Sequence, residues 1–401
     1  MSSPEGERIP SMLTDRSVDI RPFSIEIPDA ALEDLRSRLE RTRFAPDIVG
    51  AGWTYGTPTG YLQEMVTYWK DNYDWRAWEE RFNQYPQFVT TVDRQDVHFL
   101  HVRLAHQEAM PLLLLHGFPG SVLEFLELIA PLTDPESHGG RAEDAFHLVI
   151  PSLPGTGFSG PTHEAGWDTD RMADAIAEVM RRLGYDRYAV QGGDMGQFVG
   201  CALGRQDAEH VLGVHVNAAT YGFIPWGELP EEELTSLTDS ERERIERLNH
   251  FNTEGSGYFQ IQATRPQTIA AALSDSPVGQ LAWIVDLFKE WTLPEEGSDV
   301  IPIDRDVLLT DVMIYWLTNT SASAARTYYE NMHSGKWDPP SEVPTGVAVF
   351  ARDIAIRRYA EQSYNIVHWS EFDRGGHFAA LEAPDLLVED IRMFFRTLRQ
   401  S

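Results

Sequence analysis

The sequence predicts an α/β fold in which a mostly parallel β-sheet carries helices on both faces. From Met110 onward, short apolar runs typical of buried strands alternate with segments whose apolar residues recur at helical spacing. Such alternation is typical of parallel sheets joined by right-handed crossovers. Two further observations refine the prediction: a separate segment precedes the alternating part, and a helix-rich segment interrupts it over residues 221–340.

These observations divide the chain into four predicted parts. Residues 1–105 form an N-terminal accessory domain, residues 106–220 the first part of the core, residues 221–340 a helical lid, and residues 341–401 the second part of the core. The lid leaves the core after one strand and returns before the next. We therefore expect it to cover the edge of the sheet at which the strands end.

Composition and charge limit the classes of partner. The chain is 42% hydrophobic and 11% aromatic, as in ordinary globular proteins, and its net charge of −29 would repel nucleic acids and anionic membranes. The single cysteine, Cys201, rules out an intramolecular disulfide. The first residues lack the apolar stretch of a signal peptide, and no apolar run is long enough to span a membrane. We expect a soluble, cytoplasmic protein, with a homodimer left open.

The N-terminal part is predicted to contain an arm, helices and a hairpin. Residues 1–20 form a loose arm, and the leucines within residues 29–40 recur at helical spacing. Residues 61–82 are rich in aromatic side chains at near-helical spacing, which indicates packing rather than binding. Residues 90–104 predict a hairpin whose second strand alternates between buried and exposed positions.

The core elements follow in a regular order. The predicted strands read PLLLL, AFHLVIP, YAVQGG, VLGVHVN, GVAVF and NIVHWSEF. The predicted helices of the core include VLEFLELIAPL, RMADAIAEVMRRLGY and, near the C-terminus, LEAPDLLVEDIRMFFRTLRQ. In parallel sheets, ligands bind outside the carboxyl ends of the strands. The segments HGFPGS, GGDMG and DRGGHFAA each follow a strand, so we expect them to meet at one edge.

The segment GGDMG carries the candidate nucleophile, Asp194. Gly192 and Gly196 stand two residues before and two residues after this acid, where small residues let a strand turn sharply into a helix. Such a turn lifts the central side chain above the sheet, as in a nucleophile elbow. Because the lifted group here is a carboxylate, a covalent intermediate would be an alkyl ester of Asp194.

Hydrolysis of such an ester requires a general base, for which His377 is the best of thirteen histidines. It stands in a Gly-Gly-His loop directly after the last predicted strand, and a neutral imidazole can accept a proton from water. Asp353, just after the strand GVAVF, is the candidate acid that orients this histidine. Asp304 and Asp306 are weaker rivals on the lid side.

The negative charge that develops during ester hydrolysis requires preorganised hydrogen-bond donors. The backbone N–H of Met195, directly after the nucleophile, is one candidate. The backbone N–H of Phe118 in the HGFPGS loop is the second. The sequence therefore predicts an oxyanion hole between these two segments.

Taken in order, HGFPGS, IPSLPGTGFSG, GGDMG and DRGGHFAALE resemble the epoxide hydrolases of the α/β-hydrolase superfamily. The segments DWRAWEERFNQYPQF, GYFQIQATRPQTIAAALSDSPVGQLAW and VPTGVAVF are similar to the microsomal-type branch with its N-terminal accessory domain. The resemblance covers nearly all of residues 20–400. Soluble bacterial members of this branch occur in natural-product pathways, including those of enediyne antibiotics.

The resemblance implies an α/β-hydrolase fold with the chain order nucleophile, acid, histidine, and it implies no cofactor and no metal ion. It also implies two lid tyrosines that bind the epoxide oxygen and protonate the leaving alkoxide. By motif these are Tyr258 and Tyr328, with Tyr329 as the nearest competitor of the second. The chain departs from some relatives in having Asp353 rather than glutamate, and Phe118 rather than tryptophan.

The sequence therefore predicts an epoxide hydrolase that acts on an apolar, aryl or bulky epoxide with water as its second substrate. A haloalkane dehalogenase is one alternative, but it needs indole or amide donors, and HGFPGS offers no Trp or Asn. A catalytically inactive hydrolase fold that serves as a binding protein is the other. The complete set of nucleophile, base and acid candidates argues against the second alternative.

Overall fold

The computed structural model describes residues 19–103, 109–227, 229–295, 298–336 and 339–399. Most of the predicted arm, residues 1–18, lies outside this part of the chain.

The described strands form one nine-stranded sheet in the order β1-β2-β3-β5-β4-β6-β7-β8-β9. The strands are β1 Arg21–Phe23, β2 Gln87–Val92, β3 Gln95–Val102, β4 Met110–Leu115, β5 Phe146–Pro151, β6 Tyr188–Gly193, β7 Val211–Asn217, β8 Ser341–Val349 and β9 Tyr364–Glu371. The pairs β1–β2, β2–β3 and β3–β5 are antiparallel. All other neighbouring pairs, from β5 through β4, β6, β7 and β8 to β9, are parallel. The predicted mostly parallel α/β sheet is confirmed.

Helices surround this sheet. They are α1 Asp29–Glu40, α2 Thr59–Asp71, α3 Trp75–Asn83, α4 Leu126–Thr133, α5 Thr169–Arg182, α6 Met195–Gln206, α7 Glu231–Ser236, α8 Asp239–His250, α9 Gly257–Thr264, α10 Pro266–Asp275, α11 Pro277–Trp291, α12 Arg305–Thr318, α13 Ser321–His333, α14 Arg357–Ala360, α15 Ala379–Glu382 and α16 Pro384–Leu398. Helices α7 to α13 lie between β7 and β8, where the sequence predicts a helix-rich lid. No helix of the described ranges combines the length and apolar character that crossing a bilayer requires.

The N-terminal part shares its core with the rest of the chain. Its hairpin extends the central sheet, and its aromatic stretch forms two helices, α2 and α3, rather than one. Two phenols of this stretch reach the lid helix α12: Tyr68 Oη donates to Asp306 Oδ1 over 2.9 Å, and Tyr73 Oη lies 2.9 Å from Thr310 Oγ1. The four-part division of the chain, which these contacts cross, stays a prediction.

The predicted alternation of the second hairpin strand is wrong. In β3, the consecutive residues Val97, His98, Phe99 and Leu100 are all buried. The strand lies inside the sheet, between β2 and β5, and is covered on both faces. His98 faces Phe158 on one side of the strand, with ring centroids 5.3 Å apart. In a strand that is buried on both faces, successive residues do not alternate between buried and exposed positions, even where polar residues are present.

Candidate active site

A strained turn between β6 and α6 presents Asp194. Its backbone has φ 53° and ψ −124°, and a positive φ is uncommon for a residue with a side chain. A Cβ atom at Gly192 would overlap the backbone oxygen of Gly196, and a Cβ atom at Gly196 would overlap the backbone oxygen of Leu115. Glycine is therefore required at both positions for the turn to close against β4.

The two oxygens of the Asp194 carboxylate face different partners. Oδ1 accepts a hydrogen bond from the backbone N–H of Phe118 over 3.0 Å. Oδ2 lies 3.4 Å from Nε2 of His377. About a fifth of each of these two side chains is exposed, 20% for Asp194 and 17% for His377. The carboxylate thus lies between a fixed backbone donor and an imidazole, with limited access to solvent.

The HGFPGS loop approaches the carboxylate closely because it carries Gly117, at which a Cβ atom would overlap Asp194 Oδ1. The predicted donor Phe118 is therefore in place. Met195 begins α6 directly after the turn. Among the hydrogen bonds of the described residues, none joins the Met195 N–H to the Asp194 carboxylate. Its part in an oxyanion hole stays a prediction.

The lid and the core together hold His377. It lies in the loop between β9 and α15, and its backbone N–H donates to the oxygen of Trp291 over 3.1 Å. The Trp291 ring packs against the imidazole with centroids 4.6 Å apart. Asn217 Nδ2 donates to the backbone oxygen of His377 over 3.4 Å. The last residue of α11 therefore fixes the imidazole from the lid side.

The predicted acid, Asp353, is buried behind β8. Its Oδ2 accepts hydrogen bonds from the backbone N–H groups of Phe350, over 3.0 Å, and Ala218, over 3.3 Å. Burial raises the pKa of Asp353 to about 6, while these bonds and the nearby His377 act in the opposite direction. In the described part of the chain the imidazole influences Asp353 by charge, without a hydrogen bond to it.

The rival acids have other partners. Asp304 caps α12, accepting hydrogen bonds from the N–H groups of Asp306 and Val307. Asp306 accepts from the Tyr68 hydroxyl. Of the three candidate acids, Asp353 is thus the one that the structure brings to His377.

Replacing Asp353 by asparagine is expected to stabilise the folded chain at alkaline pH. Because its pKa is raised from 3.8 to about 6, the folded chain binds this proton more tightly than the unfolded chain. The contribution of Asp353 to the free energy of unfolding therefore falls as pH rises from about 4 to about 6. Once the carboxyl is ionised, this loss amounts to about 3 kcal/mol. Asparagine keeps an acceptor for both N–H groups without the buried charge.

Urea unfolding at about pH 4 and about pH 8 measures this effect. We expect the Asp353→Asn variant to gain in free energy of unfolding at the higher pH and to gain nothing at the lower one. Asp304→Asn, at a surface cap where asparagine serves equally well, is the matched control. An equal change at both pH values would contradict the burial argument.

The two predicted tyrosines meet above Asp194. Tyr258 lies in α9 and Tyr328 in α13, with ring centroids 6.0 Å apart at an interplanar angle of 84°. Burial, followed by the negative charge of Asp194, raises the pKa of both phenols well above the ordinary range. Tyr329, the competitor, is 37% exposed and stacks on His333. The structure thus brings Tyr328, rather than Tyr329, to the site.

The sequence patterns did not single out three acids of this region: Asp311, which is buried, and Glu124 and Glu382, which are partly buried. Burial raises the pKa of each, to about 8 for Asp311 and well above the ordinary range for Glu124. Glu382 accepts hydrogen bonds from the backbone N–H groups of Leu293 and Phe378. The available signal was an acid within an apolar helical pattern, as in VLEFLELI for Glu124 and VLLTDVMIYWL for Asp311. None of the described groups of His, Cys, Asp and Glu could hold a metal ion.

Comparison with known proteins agrees with this geometry. A family model described as "Epoxide hydrolase N terminus" matches residues 20–125, and one described as "alpha/beta hydrolase fold" matches residues 110–253. A putative epoxide hydrolase of Stigmatella aurantiaca is 45% identical over 383 residues, covering 95% of this chain and 86% of the relative. Epoxide hydrolase 1 of Sus scrofa is 35% identical, covering 95% and 90%. The solved structure of Aspergillus niger epoxide hydrolase is 32% identical with a TM-score of 0.84, covering 96% and 98%.

Proposed function

The chain belongs to the epoxide hydrolase family of the α/β-hydrolase superfamily, and on this premise we propose that it converts an apolar epoxide to a vicinal diol through an ester of Asp194. One observation carries the proposal. The Asp194 carboxylate has a backbone donor at Oδ1 and an imidazole at Oδ2, while two phenols lie above it. This arrangement provides a nucleophile for the epoxide carbon, a base for the water, and two proton donors for the departing epoxide oxygen.

In the first half of the reaction, Asp194 Oδ2 attacks an epoxide carbon. A new C–O ester bond forms and the carbon–oxygen bond of the strained ring breaks. The departing oxygen is held by the hydroxyls of Tyr258 and Tyr328, one of which gives it a proton. Because both pKa values lie above the ordinary range, the phenols stay protonated until an alkoxide, a much stronger base, develops beside them.

In the second half, water attacks the ester carbon, Cγ of Asp194. His377 Nε2 takes a proton from this water, and the negative charge of Asp353 stabilises the resulting imidazolium. The charge that develops on Oδ1 is within 3.0 Å of the Phe118 N–H. The bond between Cγ and the ester oxygen Oδ2 then breaks, and Oδ2 leaves with the substrate. The two protons that water brought, one on His377 and one on the new carboxyl, pass to the departing alkoxide and to the phenolate. The diol leaves, His377 is neutral again, and the new carboxylate keeps one oxygen from water.

The rings around the two phenols favour an aryl or bulky apolar substrate. Phe259 and Phe118 pack against Tyr328 with centroids 5.7 and 6.3 Å apart, and Trp291 packs against Tyr258 at 5.2 Å. Such rings stabilise an apolar ligand by contact area. A cytoplasmic location and a role in natural-product biosynthesis rest on the sequence alone and stay predictions.

Intact mass spectrometry of the His377→Gln variant tests the reaction class. We expect the variant, after exposure to styrene oxide, to gain the mass of one epoxide, because removing the base slows ester hydrolysis more than ester formation. Peptide mapping should place the added mass on Asp194. His333→Gln, which changes a histidine that stacks on the exposed Tyr329, is the matched control and should gain no lasting mass.

Failure would take a distinct form. If His377→Gln gains no mass and the wild-type protein forms no diol from styrene oxide or from a panel of bulkier epoxides, the proposed reaction is wrong. Added mass on a residue other than Asp194 would refute the nucleophile but keep the reaction class.

A further inference from the structure

A small cavity lies beside Asp194. Its polar walls are Glu124, Asp194, Asn217 and His377, and the remainder of its lining is largely apolar. Its volume of about 10 Å³ is at the lower limit for one water molecule, which needs two to four polar partners. The cavity offers that number of partners, among them both the proposed nucleophile and the proposed base.

Glu124 is the one polar wall that the reaction described above does not use. It follows the HGFPGS loop and folds back beneath it, where a Cβ atom at Gly120 would overlap its Oε1. Within the described ranges its carboxyl takes part in charge interactions with Asp311 and Asp194 but in no hydrogen bond. A carboxyl that is partly withdrawn from water and has no hydrogen-bond partner in the protein is costly. A water molecule in the cavity would supply the missing partner.

The protonation state of Glu124 limits its role. Burial raises the pKa of Glu124 well above the ordinary range, and the negative charge of Asp194 acts in the same direction. The uncharged carboxylic acid form of Glu124 is thereby favoured over the carboxylate. Such a group orients a water molecule without competing with His377 for its proton.

We propose that Glu124 holds the hydrolytic water in this cavity, between the imidazole of His377 and the ester carbon of Asp194. The inference rests on the proposed function and deepens it. One water proton passes to His377 Nε2, and the water oxygen forms the new bond to Cγ of Asp194. The second water proton stays on that oxygen and makes a hydrogen bond to the C=O oxygen of the Glu124 side chain. Glu124 keeps its own proton throughout, so that its role is to position the nucleophilic water.

Single-turnover experiments with styrene oxide separate the two halves of the reaction. In the Glu124→Leu variant we expect ester formation within about threefold of wild type, but ester hydrolysis slower on the order of 100-fold, because a misplaced water reacts poorly. The ester on Asp194 should therefore accumulate and be visible by intact mass. Glu124→Gln keeps an uncharged acceptor of similar size, and we expect its hydrolysis rate within about tenfold of wild type.

Asp311→Asn is the matched control. Asp311 is a buried acid of the same region whose Oδ1 accepts from Ser121 Oγ over 2.6 Å, but it does not line the cavity. If Glu124→Leu slows hydrolysis by disturbing the acids of this region in general, Asp311→Asn should be slow as well. If it slows hydrolysis by displacing the water, Asp311→Asn should hydrolyse the ester at the wild-type rate. We expect Asp311→Asn to accumulate no ester.

Three results would overturn the proposal: equal slowing of both half-reactions in Glu124→Leu, wild-type hydrolysis in that variant, or a Glu124→Gln variant as slow as Glu124→Leu. If Glu124→Leu does not fold, a high-resolution crystal structure of the wild-type protein tests whether the cavity holds a water molecule. An ordered water in hydrogen-bonding distance of Glu124 and His377 supports the proposal, and a dry cavity refutes it. Absence of an ester even in His377→Gln would instead refute the proposed function.

Discussion

Replacing Asp194 by asparagine is expected to abolish diol formation, lowering kcat/KM on the order of 10⁵-fold or more, as for the loss of other enzymatic nucleophiles. A carboxamide has no anionic oxygen with which to open an epoxide. The fold should tolerate the change because asparagine, like aspartate, adopts a positive φ more readily than other side chains. Its side-chain oxygen can also keep the hydrogen bond from the Phe118 N–H, which spans 3.0 Å in the wild-type protein.

The measurement is the rate of diol formation together with the thermal unfolding midpoint. Asp304→Asn is the matched control because it makes the same chemical change at a surface helix cap. We expect the control to keep wild-type activity and both variants to keep a wild-type unfolding midpoint. An Asp194→Asn protein that retains more than about a hundredth of the activity would show that the carboxylate is not the nucleophile.

The position of Asp194 could be predicted because the turn that presents it is determined locally. Glycines two residues to either side are required by overlap with the neighbouring backbone, at Gly196 with Leu115 of β4. Phe118 and His377 could be predicted for a related reason, since each follows a strand and parallel strands end at one edge of the sheet. Local turn chemistry and chain direction together bring these three residues to one place.

Other parts of the site depend on packing that no local pattern reveals. The environment of Asp353 depends on Ala218, a residue distant in sequence whose N–H reaches its carboxyl. Glu124 is one of two acids in the apolar helical pattern VLEFLELI, and a surface position would also explain an acid there. The two tyrosines were predicted through family resemblance, because two lid helices must pack before their phenols meet. The same limitation explains the error in β3, whose burial depends on its place inside the sheet.

Replacing both Tyr258 and Tyr328 by phenylalanine is expected to lower the rate of ester formation on the order of 10⁴-fold. Removing one preorganised donor typically costs about 10²-fold or more, and with one phenol left a single proton donor remains. The two phenols contact each other and do not act independently. We expect each single variant, which keeps one proton donor, to lose about 10²-fold, and the double variant, which keeps none, to lose on the order of 10⁴-fold. The change removes two hydroxyls and keeps both rings, so that the packing between α9 and α13 is retained.

Single-turnover mass spectrometry distinguishes this defect from the other predicted defects. The double variant should form its ester slowly and accumulate none, whereas His377→Gln should form the ester and retain it. Tyr329→Phe, at the exposed neighbouring position, is the matched control and should react as wild type. An ester-formation rate within tenfold of wild type in the double variant would contradict the role of the two phenols.

The pH dependence of ester formation provides a second check on the two phenols. Burial and the charge of Asp194 raise the pKa of both phenols well above the ordinary range, so both stay protonated in mildly alkaline solution. Loss of the proton donors therefore begins only above the pH at which a free tyrosine ionises. We expect the wild-type rate of ester formation to show no decline up to about pH 9.5. A decline that begins near neutral pH would identify a different group as the proton donor.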